Sequence, residues 1–212
     1  MALCEICGIR EAMEECITCH RMVCGDCIIA IAGVCVKCSK SDVGDLVTDL
    51  KNTGALQFGK FTLASGKESD YYIDIKKAIT ETRVLERIAD KIAPYADSMD
   101  RIAGVELGAV PIAVAVAMKV DRPFVIVRKE KKKHGTGRIY EGELIKGDKV
   151  LFVEDVTTTG NSLKKAILEL RSDGALIEKA VVVVDREEGG QENLGDIGVE
   201  LVPLIKSRDL LS

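Results

Sequence analysis

The sequence predicts an α/β protein, a mostly parallel sheet flanked by helices, preceded by a small cysteine-rich domain. Three observations carry that expectation. From about residue 46 onward, short apolar runs alternate with stretches of helical periodicity, the pattern of strands covered on both faces. All 8 cysteines fall between Cys4 and Cys38 and none follow, so the composition breaks near residue 40. The stretch Val150-Leu151-Phe152-Val153-Glu154-Asp155-Val156-Thr157-Thr158-Thr159-Gly160-Asn161-Ser162 reads as a buried strand, an acidic pair at its end, a hydroxyl-rich turn and a helix start. The expected division is 1–40 for the cysteine-rich domain and 41–212 for the main domain.

The chain of 212 residues is long enough for one sizeable α/β core plus a small appendage. Its apolar fraction of 47% and charged fraction of 30% fit a globular protein. No apolar run approaches the ~18 residues of a membrane span, and Met1-Ala2-Leu3-Cys4 lacks the features of a secretory signal, so a cytoplasmic location is expected. The net charge of −4 makes no global case for nucleic acid.

The cysteines form four CxxC pairs: Cys4/Cys7, Cys16/Cys19, Cys24/Cys27 and Cys35/Cys38. A disulfide scaffold would suit a secreted chain, and four successive redox motifs are not thioredoxin-like. Eight thiolates instead suit two closed, tetrahedral, structural zinc sites. The spacing argues for interleaving. Joining neighbouring pairs leaves only residues 8–15 and 28–34 between knuckles, whereas joining alternate pairs leaves 8–23 and 20–34, near the usual spacer of about 15–20 residues. Cys4, Cys7, Cys24 and Cys27 are expected to hold one ion, and Cys16, Cys19, Cys35 and Cys38 the other. This cross-braced layout resembles B-box and RING-like fingers. His20, beside Cys19, is read as a surface residue. The mixed charges of this domain give no nucleic-acid footprint, so it reads as a docking or stabilising module that leaves room for a protein partner.

In the main domain, Ser41 or Asp42 is expected to cap a helix with Leu46, Val47 and Leu50 on one face, ending at Gly54. Residues 58–67 read as a strand and turn, and Ser69–Ile75 as a second strand. Thr82 to Tyr95 has helical spacing. Arg101–Val105 reads as a strand, and Gly108-Ala109-Val110-Pro111 as a turn into a helix with Pro in its first turn. Further strands are expected at Phe124–Val127, Val150–Val153, Lys179–Val184 and Val199–Leu204.

Ligands of such sheets bind beyond the carboxyl ends of the strands. That edge should collect Glu106–Ala109, the segment after Arg128, the acidic pair with its threonine turn, and Asp185-Arg186. Turn amides and hydroxyls at a helix N-terminus suit a phosphate, and carboxylates accept hydrogen bonds from sugar hydroxyls. Together they describe a site for a phosphorylated sugar. Arg128 to Gly137 holds five cations, His134 and two glycines. At the ligand edge such a run can neutralise a polyphosphate and the charge that develops on a leaving pyrophosphate.

These residues bring the family into view. Leu46 to Leu211 resembles orotate phosphoribosyltransferase, of type I phosphoribosyltransferase fold with a small hood over the sheet. Val150 to Ser162 is similar to the signature for phosphoribosyl pyrophosphate (PRPP). Phe58–Leu63 with Ser65-Gly66 and Tyr71-Tyr72 resembles the family's hood, Arg128-Lys129-Glu130 through Lys132 to His134-Gly135 its catalytic loop, and Asp185-Arg186 the position where Arg meets the orotate carboxylate. The resemblance implies transfer of the phosphoribosyl group of PRPP to orotate, giving orotidine 5′-phosphate and pyrophosphate in pyrimidine synthesis. It implies catalytic roles for Lys132 and Asp155. PRPP and pyrophosphate would be held by Arg128, Lys129, Lys132, His134 and the run Glu154, Asp155, Val156, Thr157, Thr158, Thr159, Gly160, Asn161 and Ser162. Orotate would meet Thr158, Arg186, Tyr71 and Tyr72. Mg(2+) would arrive with PRPP, and a homodimer would share its active sites. Where some bacterial members carry lysines, this chain has Ala64 and Gly108. A PRPP-sensing regulator with the finger as its nucleic-acid- or protein-binding module, or a transferase for another base, are the alternatives. The complete loop favours the enzyme, because loop residues chiefly serve the transition state.

Overall fold

The computed structural model describes residues 2–16, 21–29, 34–35, 45–62, 68–129 and 138–211. They form two compact units, Met1–Asp45 and Leu46–Ser212. The first unit carries two short antiparallel ladders, β1 (Glu14–Glu15) with β2 (Met22–Val23) and β3 (Ile28–Ile29) with β4 (Val34–Cys35). Its small buried cluster is Cys4, Cys16, Val23, Cys24, Cys27 and Ile28. Among the described residues the apolar side chains of this cluster are few, and a core that small usually needs a metal or other support.

The second unit opens with the helix Leu46–Asn52, ended by Gly54 at φ 67°. Its expected cap residues Ser41 and Asp42 lie outside the described residues. A hairpin follows, β5 (Leu56–Thr62) and β6 (Glu68–Ile73), with a register shift between Phe58 and Phe61. The second strand stops earlier than its sequence pattern suggests: Ile75 belongs to the helix Ile75–Ile79, which buries Ile75, Ala78 and Ile79. In this short segment the burial of an i, i+3, i+4 face outweighs the β-branched run.

The helix Thr82–Ile92 passes into a 3-10 turn at Ala93–Tyr95, where Pro94 cannot continue the α-helical ladder. Then come β7 (Arg101–Val105), the helix Ala109–Val120, β8 (Phe124–Val127), β9 (Tyr140–Glu141), β10 (Val150–Thr157), the helix Asn161–Ser172, β11 (Lys179–Asp185), the helix Gly190–Gly195, β12 (Glu200–Lys206) and the helix Ser207–Leu211. The strand order is β12-β11-β10-β7-β8-β9, parallel throughout except for β9.

Each sheet face is covered. Leu151 and Val153 point into one core cluster, with Ile102, Val181 and Val183, while Val150 and Phe152 point into the other, with Ala103, Ala180 and Val182. This period-2 alternation lets an unbroken apolar run serve two cores. β10 continues past the expected apolar run. Glu154 and Asp155 lie within the strand rather than after it, and the ladder with β11 runs on to Thr157 opposite Asp185. β7 pairs with β10 only as far as Val153. The acidic pair therefore stands where β10 outruns one neighbour while its backbone is still held by the other.

Candidate active site

The site is built outward from β10. Glu154 is buried, and burial pushes its carboxyl well above the usual range, with the adjacent Asp155 charge adding to the rise and Lys129 opposing it. Asp155 is only half-buried. Its Oδ1 accepts from the Val156 N–H at 2.8 Å, and Glu154 Oε1 accepts from the Asp155 N–H at 3.0 Å. The local backbone thus holds one oxygen of each carboxylate. Across from them, Gly108 comes so close that a Cβ added there would lie 1.8 Å from Asp155 Oδ2 and 2.5 Å from its Cγ. Gly108 is therefore a place where backbone and carboxylate must meet. Gly108→Ala is expected to rotate Asp155 off the Val156 N–H and lower kcat/KM for PRPP about 10-fold. The melting temperature should barely move, and unchanged kinetics would show that Asp155 can reorient freely.

The turn after β10 is buttressed from behind. Gly160 adopts φ 73°, and a Cβ there would press at 3.3 Å on the backbone of Gly190. A Cβ on Gly190 would in turn approach the Thr158 carbonyl at 3.0 Å. Asn193 Nδ2 donates to the Thr159 carbonyl at 2.8 Å and to Asn161 Oδ1 at 2.7 Å, while Lys164 Nζ donates to Asn193 Oδ1 at 2.8 Å. The helix Gly190–Gly195 thus fixes the shape of the turn, and the amino end of the helix Asn161–Ser172 opens onto it. An amide-rich turn held rigidly at a helix N-terminus is suited to an anion. Asn193 and Gly190 carry no motif signal; their role rests on tertiary contact.

A third wall comes from β11 and the hairpin. Arg186 follows β11 directly, and its N–H donates to the Thr157 carbonyl at 2.9 Å. Its side chain is buried, with Nε 2.8 Å from Glu188 Oε1, Nη2 3.2 Å from Ser69 Oγ and the guanidinium carbon 4.4 Å from the Tyr71 ring centroid. Burial also raises the Asp185 carboxyl, against the opposing Glu187 N–H. Tyr71 thus joins Arg186, while Tyr72 lies on the other face of β6, its ring 5.5 Å from that of Phe61. Successive residues of a strand face opposite ways. Ser69 and Glu188, which set the Arg186 fork, are further residues without a sequence signal.

The basic segment leaves β8 at Arg128 and returns at β9. The Arg128 N–H donates to the Ile139 carbonyl at 2.7 Å, continuing the β8–β9 ladder, and Arg128 Nη1 pairs with Glu141 at 3.1 Å. The Lys129 N–H donates to Glu106 Oε1 at 3.0 Å. Both ends of the segment are therefore anchored, and Glu106 ties its start to the turn that carries Gly108. Lys132 and His134 lie outside the described residues.

In the N-terminal unit, the sulfurs of Cys4, Cys7, Cys24 and Cys27 lie within 4.8 Å of one another. The 3.9 Å between Cys7 and Cys24 is far from the ~2.05 Å of a disulfide. It is close to the ~3.8 Å edge of a tetrahedron with Zn–S bonds of about 2.3 Å. Burial pushes the Cys4 thiol up, but surrounding N–H groups outweigh it and bring it down to about 6; burial and its neighbouring thiols push Cys27 up to about 12. The donor set and spacing fit Zn(2+), which would draw all four to thiolate. Cys16 is buried; Cys19, Cys38 and the side chain of Cys35 lie outside the described residues.

A mostly parallel sheet whose central strand carries an acidic pair and leads through a turn suited to an anion into a helix start has the architecture of a phosphoribosyltransferase. Residues 74–199 match the family model for the phosphoribosyl transferase domain. The chain is 51% identical over 165 residues to the orotate phosphoribosyltransferase of Methanothermobacter thermautotrophicus, covering 78% of this chain and 92% of that one. It is 51% identical over 168 residues to that of Methanocaldococcus jannaschii, covering 79% and 96%. The crystal structure of orotate phosphoribosyltransferase from Aeropyrum pernix matches with a TM-score of 0.73 at 36% identity, covering 79% of this chain and 96% of that one. The chain belongs to the orotate phosphoribosyltransferase family. Its reaction transfers the phosphoribosyl group of PRPP to orotate in pyrimidine biosynthesis.

Proposed function

We propose that the edge formed by β10, β11 and the hairpin divides the two substrates between its walls. The juxtaposition that carries this reading is Arg186, stacked on Tyr71 yet hydrogen-bonded by its backbone to Thr157 of the phosphate turn. Thr157 to Ser162 take the 5-phosphate. Glu154 and Asp155 take the ribose hydroxyls, Val156 spacing them from the turn, and Asp155 favours the cationic, oxocarbenium-like sugar. Arg186, Tyr71 and Thr158 face orotate, with Tyr72 on the adjoining face of β6. Orotate is acidic, and a buried guanidinium is the group that reads a carboxylate by geometry as well as charge.

Arg128, Lys129, Lys132 and His134 close over the pyrophosphate, with Lys132 reaching the developing charge. Mg(2+) comes with PRPP, and its role is to neutralise diphosphate oxygens. Two subunits share their loops across a homodimer in the cytoplasm. Residues 1–40 form a finger with two structural zinc ions, at Cys4, Cys7, Cys24, Cys27 and at Cys16, Cys19, Cys35, Cys38, available to a protein partner; residues 41–212 form the catalytic domain. The regulator reading has no observation in its favour beyond the finger itself.

Orotate absorbance, followed with PRPP and Mg(2+), should fall at a rate proportional to enzyme. Lys132→Ala should lower kcat at least about 10-fold while changing PRPP binding little, as for a group that acts mainly in the transition state. Equal losses in both would assign it to binding alone. PRPP binding without turnover would favour a sensor.

A further inference from the structure

The helix that follows the hairpin carries a cation that neither the acidic pair nor the basic loop accounts for. The helix Ile75–Ile79 buries Ile75, Ala78 and Ile79, leaving Lys76 and Lys77 on its open side. The two lysines diverge. Lys77 Nζ lies at the Gly54 turn, 3.0 Å from where a Cβ on that residue would be. Lys76 Nζ lies 3.2 Å from Asp74 Oδ1, with its side chain still 47% exposed. This helix packs against β10, the strand that carries Asp155, and the Asp155 charge acts on the Lys76 ammonium. Burial works against the Lys76 charge, but Asp74, Tyr72 and Asp155 together outweigh it and raise its pKa.

We propose that Lys76 is a diphosphate-binding residue, reaching from the helix Ile75–Ile79 to the pyrophosphate of PRPP beside Asp155. The inference rests on the reading that Asp155 holds the ribose hydroxyls. The diphosphate leaves from C1, the carbon adjacent to the 2-hydroxyl. A lysine with a stem about 6 Å long, on a helix packed against the strand that carries this carboxylate, therefore has the anomeric substituent within reach. The charge inventory points the same way. Residues 64 and 108 are Ala and Gly and carry no charge. Arg186 is engaged with Glu188, Ser69 and Tyr71 at the wall assigned to orotate. Lys76 is bound to one partly exposed carboxylate, which keeps its ammonium aimed and can exchange for a stronger anion. A diphosphate offers a compact point charge more negative charge than a single carboxylate does.

The test compares Lys76→Ala, Lys76→Arg and Lys77→Ala in the full-length enzyme, with melting temperatures recorded to exclude unfolding. Lys76→Ala should lower kcat/KM for PRPP about 10- to 100-fold and weaken inhibition by inorganic pyrophosphate by a similar factor. The KM for orotate should stay within about 3-fold of wild type, and Lys77→Ala within about 2-fold in every constant. Lys76→Arg should recover most of the loss, because charge at that place is what matters. The proposal is overturned if Lys76→Ala keeps kcat/KM for PRPP within about 2-fold. It is also overturned if pyrophosphate inhibition is unchanged, or if Lys77→Ala loses as much. Competition by ribose 5-phosphate, which has no diphosphate, separates the premise: Lys76→Ala should leave it intact and Asp155→Asn should weaken it. If Asp155→Asn does not, the diol reading fails while the pyrophosphate result still decides the role of Lys76.

Discussion

Arg186→Ala is expected to lower kcat/KM for orotate on the order of 10³-fold, as for a site that has lost the buried group made to hydrogen-bond its substrate. The size follows from the way the residue is held. Its guanidinium lies 4.4 Å from the Tyr71 centroid, is tied at Nε to Glu188 and at Nη2 to Ser69, and its side chain is 5% exposed. Few rotamers remain to be lost when a planar carboxylate docks, so contact made with it is gained at low entropic cost. Removing it also takes a cation from beside Glu188, so a drop in stability of about 1–3 kcal/mol should accompany the kinetic loss. Lysine should rescue poorly, since a point charge neither stacks on Tyr71 nor spans Ser69 and Glu188 together. The PRPP KM should change by no more than about 3-fold. If PRPP and orotate constants deteriorate together, Arg186 supports the turn through its backbone bond to Thr157 and does not read the base.

The same residue shows what the sequence makes legible. Apolar runs and helical spacing locate the sheet strands because parallel strands buried on both faces have a strong compositional signature. The turn from Thr157 to Ser162 is legible because glycine, hydroxyls and a helix start occur together. What escapes is whatever depends on where two distant segments touch. Ser69, Glu188 and Asn193 are ordinary polar residues until folding sets them beside Arg186 or the Thr159 carbonyl. Gly108, read from sequence as a missing lysine, is in the fold a glycine whose absent Cβ makes room for Asp155. The end of β10 was hidden for a related reason. Polar residues close an apolar run, yet β11 supplies backbone partners up to Thr157, so the ladder outlasts the hydrophobic pattern. Ile75 shows the reverse, a β-branched residue drawn into a helix by its place at the start of a buried i, i+3, i+4 face.

Metal analysis of the full-length protein is expected to find about two zinc ions per chain, and Cys24→Ser should remove one of them and unfold its surroundings. Among the described residues the N-terminal unit buries Val23 and Ile28 with its cysteines, a small apolar core to set against chain entropy. A structural zinc site contributes roughly 10–16 kcal/mol of apparent binding energy that exists only in the folded state. Loss of one ligand should therefore appear as rapid hydrogen exchange at the amides of Cys4, Cys16 and Cys27, whose backbone bonds to Arg10, Arg21 and Cys24 close the knuckles. Pairing is decided by comparing variants. Cys7→Ser and Cys24→Ser should behave alike, because their sulfurs belong to one cluster, whereas Cys16→Ser should remove the other ion. If Cys7→Ser and Cys16→Ser instead share a phenotype that Cys24→Ser lacks, neighbouring knuckles pair and the interleaved scheme is wrong. Orotate turnover in Cys24→Ser locates the consequence. The residues placed around PRPP and orotate all come from the Leu46–Ser212 unit, so kcat should persist while the finger melts. A parallel collapse of kcat would make the zinc module a structural requirement of the catalytic unit and no longer a separable docking device.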